Sequence, residues 1–197
     1  MARLPYAIQP RILEHALYLF SERGLDGVTI KDVIKACGSP ASSVYRLFLS
    51  KEKLYEAAIR DVIWRAQGAM GKILLSDAAT GGGDPRAQIA EVVRAWYDSM
   101  GRADARLLHQ VLKQVNAVDK DLRKQAYWSI EQMIAIVFKR VQGRSRHLSS
   151  DGLSAELLIT TLFECKVLQA APEPSKAESA RVNALIDNWL SLVLPKK

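Results

Sequence analysis

Apolar residues recur at every third or fourth position along nearly the whole chain, the spacing that predicts amphipathic helices. In the first periodic segment Ile8, Ile12, Ala16, Leu19 and Phe20 share a face, with Leu13 at its edge and Arg11, Glu14, Tyr18 and Glu22 opposite. Gly24 is placed to end it as a C-cap. A short second helix is predicted to begin at Thr29, which with Asp32 has the spacing of a capping box. Ile30, Val33 and Ile34 form its buried side and Gly38 stops it. A third helix is predicted over 40–48, with Ser39 as cap, Pro40 in the first turn, and Val44, Leu47 and Phe48 as its apolar positions. Ser50 then caps a long fourth helix running to about residue 76, with Glu52 near its positive end. Leu54, Ala58, Val62, Ala66, Met70 and Ile73 line its stripe.

Thr80 to Gly83 reads as a linker, and Asp84-Pro85 as a cap followed by proline in the first turn. Further helices are predicted at about 85–101, 103–116, 119–142, 153–170 and 176–194, giving an all-α chain of about nine helices. No run of alternating β-branched residues suggests a strand.

Two short helices joined by a tight turn after a longer one are a helix-turn-helix arrangement. Gly38 lets the chain reverse without a Cβ clash. The third helix would then present Ala41, Ser42, Ser43 and Arg46 to solvent and to a DNA major groove. Small residues allow close approach to base edges. Serines donate or accept, and Arg46 can fork onto guanine or bind a phosphate.

The stretches Thr29 to Gly38, Val44 to Phe48 and Ser50 to Leu54 resemble the TetR family of transcriptional repressors, without a gap from Thr29 to Leu54. Ala16, Phe20 and Gly24 also fit the family's first helix. The resemblance implies an N-terminal DNA-binding domain over 1–52 and a helical effector-binding and dimerisation domain over 53–197. It implies phosphate contacts by Tyr45 and Lys51, a DNA-facing position for Thr29, and core packing by Phe48. Ser39, Pro40, Ser42, Leu47 and Ile34 depart from the family's usual residues. Ser39 and Leu47 leave the operator sequence open. Cys37, where the family often has Ala, is expected to be a packed core thiol.

The last helix carries Val182, Leu185, Ile186, Trp189, Leu190 and Val193 in a regular stripe, after a Ser175/Glu178 capping box. The helix before it is apolar on two sides: Leu153, Leu157, Thr161 and Leu168 on one, and Ile159, Phe163 and Val167 on the other. A helix apolar on both sides is buried on both, so these two helices are expected to hold a homodimer. Leu157, Thr161, Leu168, Leu185, Trp189 and Val193 are the candidate interface residues. The resemblance further implies a small-molecule pocket among the middle helices, with ligand binding moving the fourth helix and re-spacing two DNA-binding heads. Trp64, Trp96, Tyr97, Met100, His109, Trp128 and Met133 are its candidate lining.

Composition alters this picture little. Hydrophobic residues make up 49% and charged residues 25%, as in an ordinary globular chain, which excludes a disordered one. The net charge of +7 permits a nucleic-acid partner. The positive excess falls in residues 1–55 and, more strongly, in 102–146, so it does not mark one end of the chain. Residues 1–10 have no apolar segment of the secretory kind and no run approaches a membrane span, so a cytoplasmic protein is expected. Cys37 and Cys165 are far apart and suggest no disulfide framework. GxSxG, HExxH, a glycine-rich phosphate loop and metal-spaced Cys/His clusters are missing from the sequence, so no enzyme, metal or cofactor is expected. The expected partners are an operator duplex, a second copy of the chain and a small-molecule effector. The rival readings are an all-helical interaction protein and a DNA binder with no effector. The first of these would be expected to lose Tyr45, Arg46 and Lys51.

Overall fold

The computed structural model describes residues 8–75, 84–113, 124, 161–162, 164–166, 168 and 175–193. Every regular element among them is helical: α1 (Ile8–Arg23), α2 (Ile30–Cys37), α3 (Ala41–Leu47), α4 (Lys51–Leu74), α5 (Pro85–Ser99), α6 (Arg102–Lys113) and α7 (Lys176–Val193). Described residues between 161 and 168 are helical as well. The predicted helix over 119–142 lies outside the described residues, apart from the helical Lys124.

The caps form where the sequence places them. Thr29 and Asp32 make both halves of the capping box: Thr29 Oγ1 accepts from the Asp32 N–H at 3.2 Å, and Asp32 Oδ2 accepts from the Thr29 N–H at 2.8 Å. Gly38 closes α2 at φ 62°, a conformation a Cβ would strain. Ser50 Oγ accepts from the Lys53 N–H, and Asp84 from the Arg86 N–H with Pro85 beside it. Ser175 and Glu178 close the second capping box. One cap differs from expectation. Pro40, not Ser39, is the N-cap of α3, and it offers no side-chain acceptor, so the helix begins at Ala41.

The core is continuous. α1 lies across both α4 and α6, α2 and α3 complete the N-terminal group, and α7 packs on α5. Ile12, Ala16, Phe20, Val28, Val33, Cys37 and Val44 are buried together, and the Cys37 thiol sits 3.6 Å from the Ile34 carbonyl. Phe20 meets Tyr55 edge to face, with ring centroids 5.1 Å apart. The predicted stripe on α4 is therefore too narrow. Tyr55 and Ile59 are buried along with Leu54, Ala58 and Val62, because α1 covers one side of the helix and α5 and α6 the other.

Polar ties fix α6 against its neighbours. Gln110 donates to the Ser21 carbonyl at 2.9 Å and Arg106 pairs with Glu22, both at the end of α1. Arg65 of α4 makes a two-pronged bond to Asp104 of α6, at 2.8 and 2.9 Å. No described helix is long and apolar enough to cross a membrane.

Candidate nucleic-acid interface and effector cleft

α3 is seven residues long and packs against α2, with Val44 in the common core. Its outward side carries Ala41, Ser42, Tyr45 and Arg46, all exposed. Ser43 does not join them. It is 9% exposed and turned into the core beside Val44, one helical step from Ser42, so its expected place on the outward face is corrected. Thr29 and Lys51 stand at the N-terminal ends of α2 and α4, where unpaired N–H groups and the helix dipole favour an anion. Thr29 is exposed and Lys51 half-buried. Hydrogen bonds from the Thr29 side chain and backbone hold the Asp32 carboxyl below its ordinary pKa. Glu52 is lowered by its own backbone N–H and by Ser50.

A cleft opens between α4, α5 and α6. Its inner part, about 200 Å³, is lined by Val62, Arg65, Ala66, Ala69, Trp96, Ser99, Met100, Asp104 and Leu108. Its outer part, about 520 Å³, adds Trp64, Gly68, Lys72, Ile73 and Ala95. Of the predicted lining, Trp96 and Met100 are in the inner part. Trp64 is at the mouth, 72% exposed. Tyr97 and His109 line neither part. Tyr97 faces Lys166, whose ammonium lies 4.8 Å from the ring centroid, and burial pushes the phenol pKa up to about 12. His109 Nε2 lies 3.3 Å from Glu164 Oε1, tying α6 to the helical residues around 164. Trp128 and Met133 lie outside the described residues.

Arg65 is the polar feature the sequence did not single out. Burial works against its charge, but Asp104 and Asp61 together outweigh that and hold its pKa above the ordinary arginine value. The Asp61–Arg65 pair has i, i+4 spacing and was legible; Arg65–Asp104 spans 39 residues and was not. Among the described residues, no group of three or more His, Cys, Asp or Glu is placed to hold a metal ion.

The proposed pairing surface is rearranged by the fold. Trp189 is 4% exposed within a single chain, because the Val182, Ile186, Trp189 and Leu190 side of α7 faces the chain's own core. A second copy could bury little more of it, so Trp189 is corrected from interface to protomer core. The outward side of α7 carries Ala177, Ala180, Arg181, Ala184, Asn188 and Leu192. Leu192 is 74% and Leu168 71% exposed, while Thr161 and Leu185 are half-buried. Leu157 and the side chain of Val193 lie outside the described residues.

Residues 12–58 match the family profile described as "Bacterial regulatory proteins, tetR family". Over 53 residues the chain is 36% identical to the biofilm operon icaADBC HTH-type negative transcriptional regulator IcaR of Staphylococcus aureus (strain Newman), covering 27% of this chain and 28% of IcaR. It is 33% identical over 76 residues to the HTH-type transcriptional repressor KstR2 of Mycolicibacterium smegmatis, covering 39% of this chain and 36% of KstR2. The matched region thus spans little more than a quarter to a third of these relatives' length. The whole fold is similar to a TetR-like transcriptional regulator from Rhodococcus sp. RHA1, with a TM-score of 0.68 at 18% identity, covering 98% of this chain and 100% of that one. The helix-turn-helix segment thus matches the tetR family of bacterial regulatory proteins, and the chain as a whole shares the all-helical fold of a TetR-like regulator.

Proposed function

We propose that the chain is a DNA-binding transcriptional repressor that grips a palindromic operator as a homodimer and lets go when a small molecule enters the cleft between α4, α5 and α6. The observation that carries this reading is the outward face of α3, where Ala41, Ser42, Tyr45 and Arg46 are exposed together between the N-terminal ends of α2 and α4. Ala41, Ser42 and Arg46 would meet base edges, and Thr29, Tyr45 and Lys51 phosphates. Ser43, being buried, would hold the helix in place rather than read bases. Repression is supported by the relatives, named as a negative regulator and a repressor. Such a protein acts where the DNA is, in the cytoplasm. The division into a DNA-binding part over 1–52 and a sensing and pairing part over 53–197 follows the same reading, with α4 running from one into the other.

Selecting genomic duplexes with the purified protein tests it: an enriched near-palindrome is expected, and recovery of no preferred sequence overturns the reading. On the selected site Tyr45→Ala and Lys51→Ala should weaken binding to all sequences, each lowering the salt slope by about one. Arg46→Ala should instead relax the preference at one base pair, by about 1–3 kcal/mol. A Lys51 variant with unchanged affinity and salt slope removes its assigned role.

A further inference from the structure

The cleft's own side chains speak to the chemistry of the molecule that would fill it. Along the stretch facing α5 and α6, α4 carries Ala66, Gly68 and Ala69, and a Cβ added at Gly68 would meet nothing within 4 Å. Trp96, Met100, Leu108 and Val62 line the inner part, so the hollow is an apolar slot walled on one side by small residues. The inner and outer parts share Arg65, Ala69 and Ser99, so Arg65 borders both. Three charged side chains line the whole: Arg65, Lys72 and Asp104. Both Asp104 oxygens are already engaged by Arg65, at 2.8 and 2.9 Å. Arg65, Ala69 and Lys72, spaced four and three apart, fall on one face of α4, and no described residue forms an ion pair with Lys72.

We propose that the cleft takes an amphipathic organic anion, with its apolar body in the slot between Ala66, Ala69, Trp96 and Met100 and a single carboxylate held between Arg65 and Lys72. This rests on the reading of the cleft as an effector site and names the class of effector. A cation entering the slot would meet the Lys72 ammonium, an Arg65 already matched by Asp61 and Asp104, and a carboxylate whose oxygens are both occupied. A neutral molecule would gain the apolar walls and leave Lys72 as it was. A carboxylate gains the walls, the Lys72 ammonium and the two N–H groups of Arg65 that Asp61 and Asp104 leave over. By sharing the guanidinium's charge with Asp104 it would also weaken the tie between α4 and α6, so the same contact that selects the ligand would carry its signal.

Trp64 and Trp96 border the cleft, so tryptophan fluorescence of the full chain reports its occupancy. The probes are decanoate, 1-decanol and decyltrimethylammonium, one apolar chain with three heads. Decanoate is expected to bind at least tenfold more tightly than either of the others. Lys72→Gln should remove most of that advantage while leaving the alcohol's affinity unchanged. Lys53→Gln, on α4 but away from the cleft, controls for the chain's overall positive charge and should leave the preference intact. The proposal is overturned if the alcohol or the ammonium binds as well as decanoate, or if none of the three saturates. It is overturned equally if Lys72→Gln leaves the preference in place, or if Lys53→Gln abolishes it. The titration uses no DNA, so failure of the regulator reading is registered separately, as failure of the duplex selection.

Discussion

Thr29 and Asp32 show how much a pair of residues can decide. Together they satisfy each other's N–H groups at the start of α2 and set where that short helix begins. Thr29→Ala should cost about 1 kcal/mol of stability, the usual scale for losing an N-cap side chain, measured by urea denaturation. The Asp32 and Glu52 carboxyls have pKa values below ordinary because hydrogen bonds favour their charged forms. A carboxyl lowered in the folded state lends stability that is present above its unfolded pKa and lost as pH falls through the folded one. Unfolding midpoints should therefore fall as pH drops below about 4, and Thr29→Ala should shrink that fall. An acid limb unchanged by the substitution would dissociate the cap from the titration. Both residues of this box were legible because capping is local in sequence. Ser43 was not: on a seven-residue helix the buried side depends on where α1 and α2 sit, and a serine gives no hydrophobic mark to read.

At the scale of elements, α4 and α6 offer two routes between the cleft and the N-terminal helices. α4 is one continuous rod of 24 residues, about 36 Å at 1.5 Å per residue, beginning at Lys51 and passing the cleft at Arg65 to Lys72. α6 touches the cleft through Asp104 and Leu108 and reaches α1 through Arg106 to Glu22 and Gln110 to Ser21. The rod was legible from an unbroken apolar stripe after Ser50. The second route was not, because each of its ties joins residues far apart in sequence and on different helices. Replacing both Arg106 and Gln110 with Ala should leave decanoate binding to the free protein near wild type. It should reduce the factor by which decanoate weakens the selected operator complex. A wild-type coupling of about 1–3 kcal/mol corresponds to roughly 5- to 150-fold. By linkage the operator must weaken decanoate binding by the same factor, so the loss should show identically in both titrations. Full coupling in the double variant would assign the signal to α4 alone.

At the scale of the whole molecule, one helix-turn-helix reads one half-site, so a palindrome demands two chains held at a fixed distance. The apolar stripe on the last helix predicts a buried surface, and periodicity alone does not say which neighbour it serves, a second copy or the chain's own core. The fold turns its Val182, Ile186, Trp189 and Leu190 inward. Arg94 bonds Asn183 at 2.6 Å and Arg86 bonds the Asp187 carbonyl at 2.8 Å, fixing α7 to α5 on that side. What remains outward on α7 is Ala177, Ala180 and Ala184, small enough for close helix approach, with Leu192 beyond them and Leu168 exposed on the preceding helical segment. Two substitutions therefore separate core from interface. Trp189→Ala should destabilise the protomer by about 3–5 kcal/mol, the cost of emptying a buried aromatic site, and lower the unfolding midpoint. Leu168→Arg together with Ala184→Arg should leave the far-UV spectrum and protomer core intact but yield monomers in sedimentation at micromolar concentration. Those monomers should bind the selected palindrome only as tightly as an isolated half-site, since the gain from linking two heads is lost. If the double arginine variant stays dimeric, pairing runs through other surfaces. If the wild type itself sediments as a monomer at that concentration and still holds the palindrome, pairing occurs only on DNA.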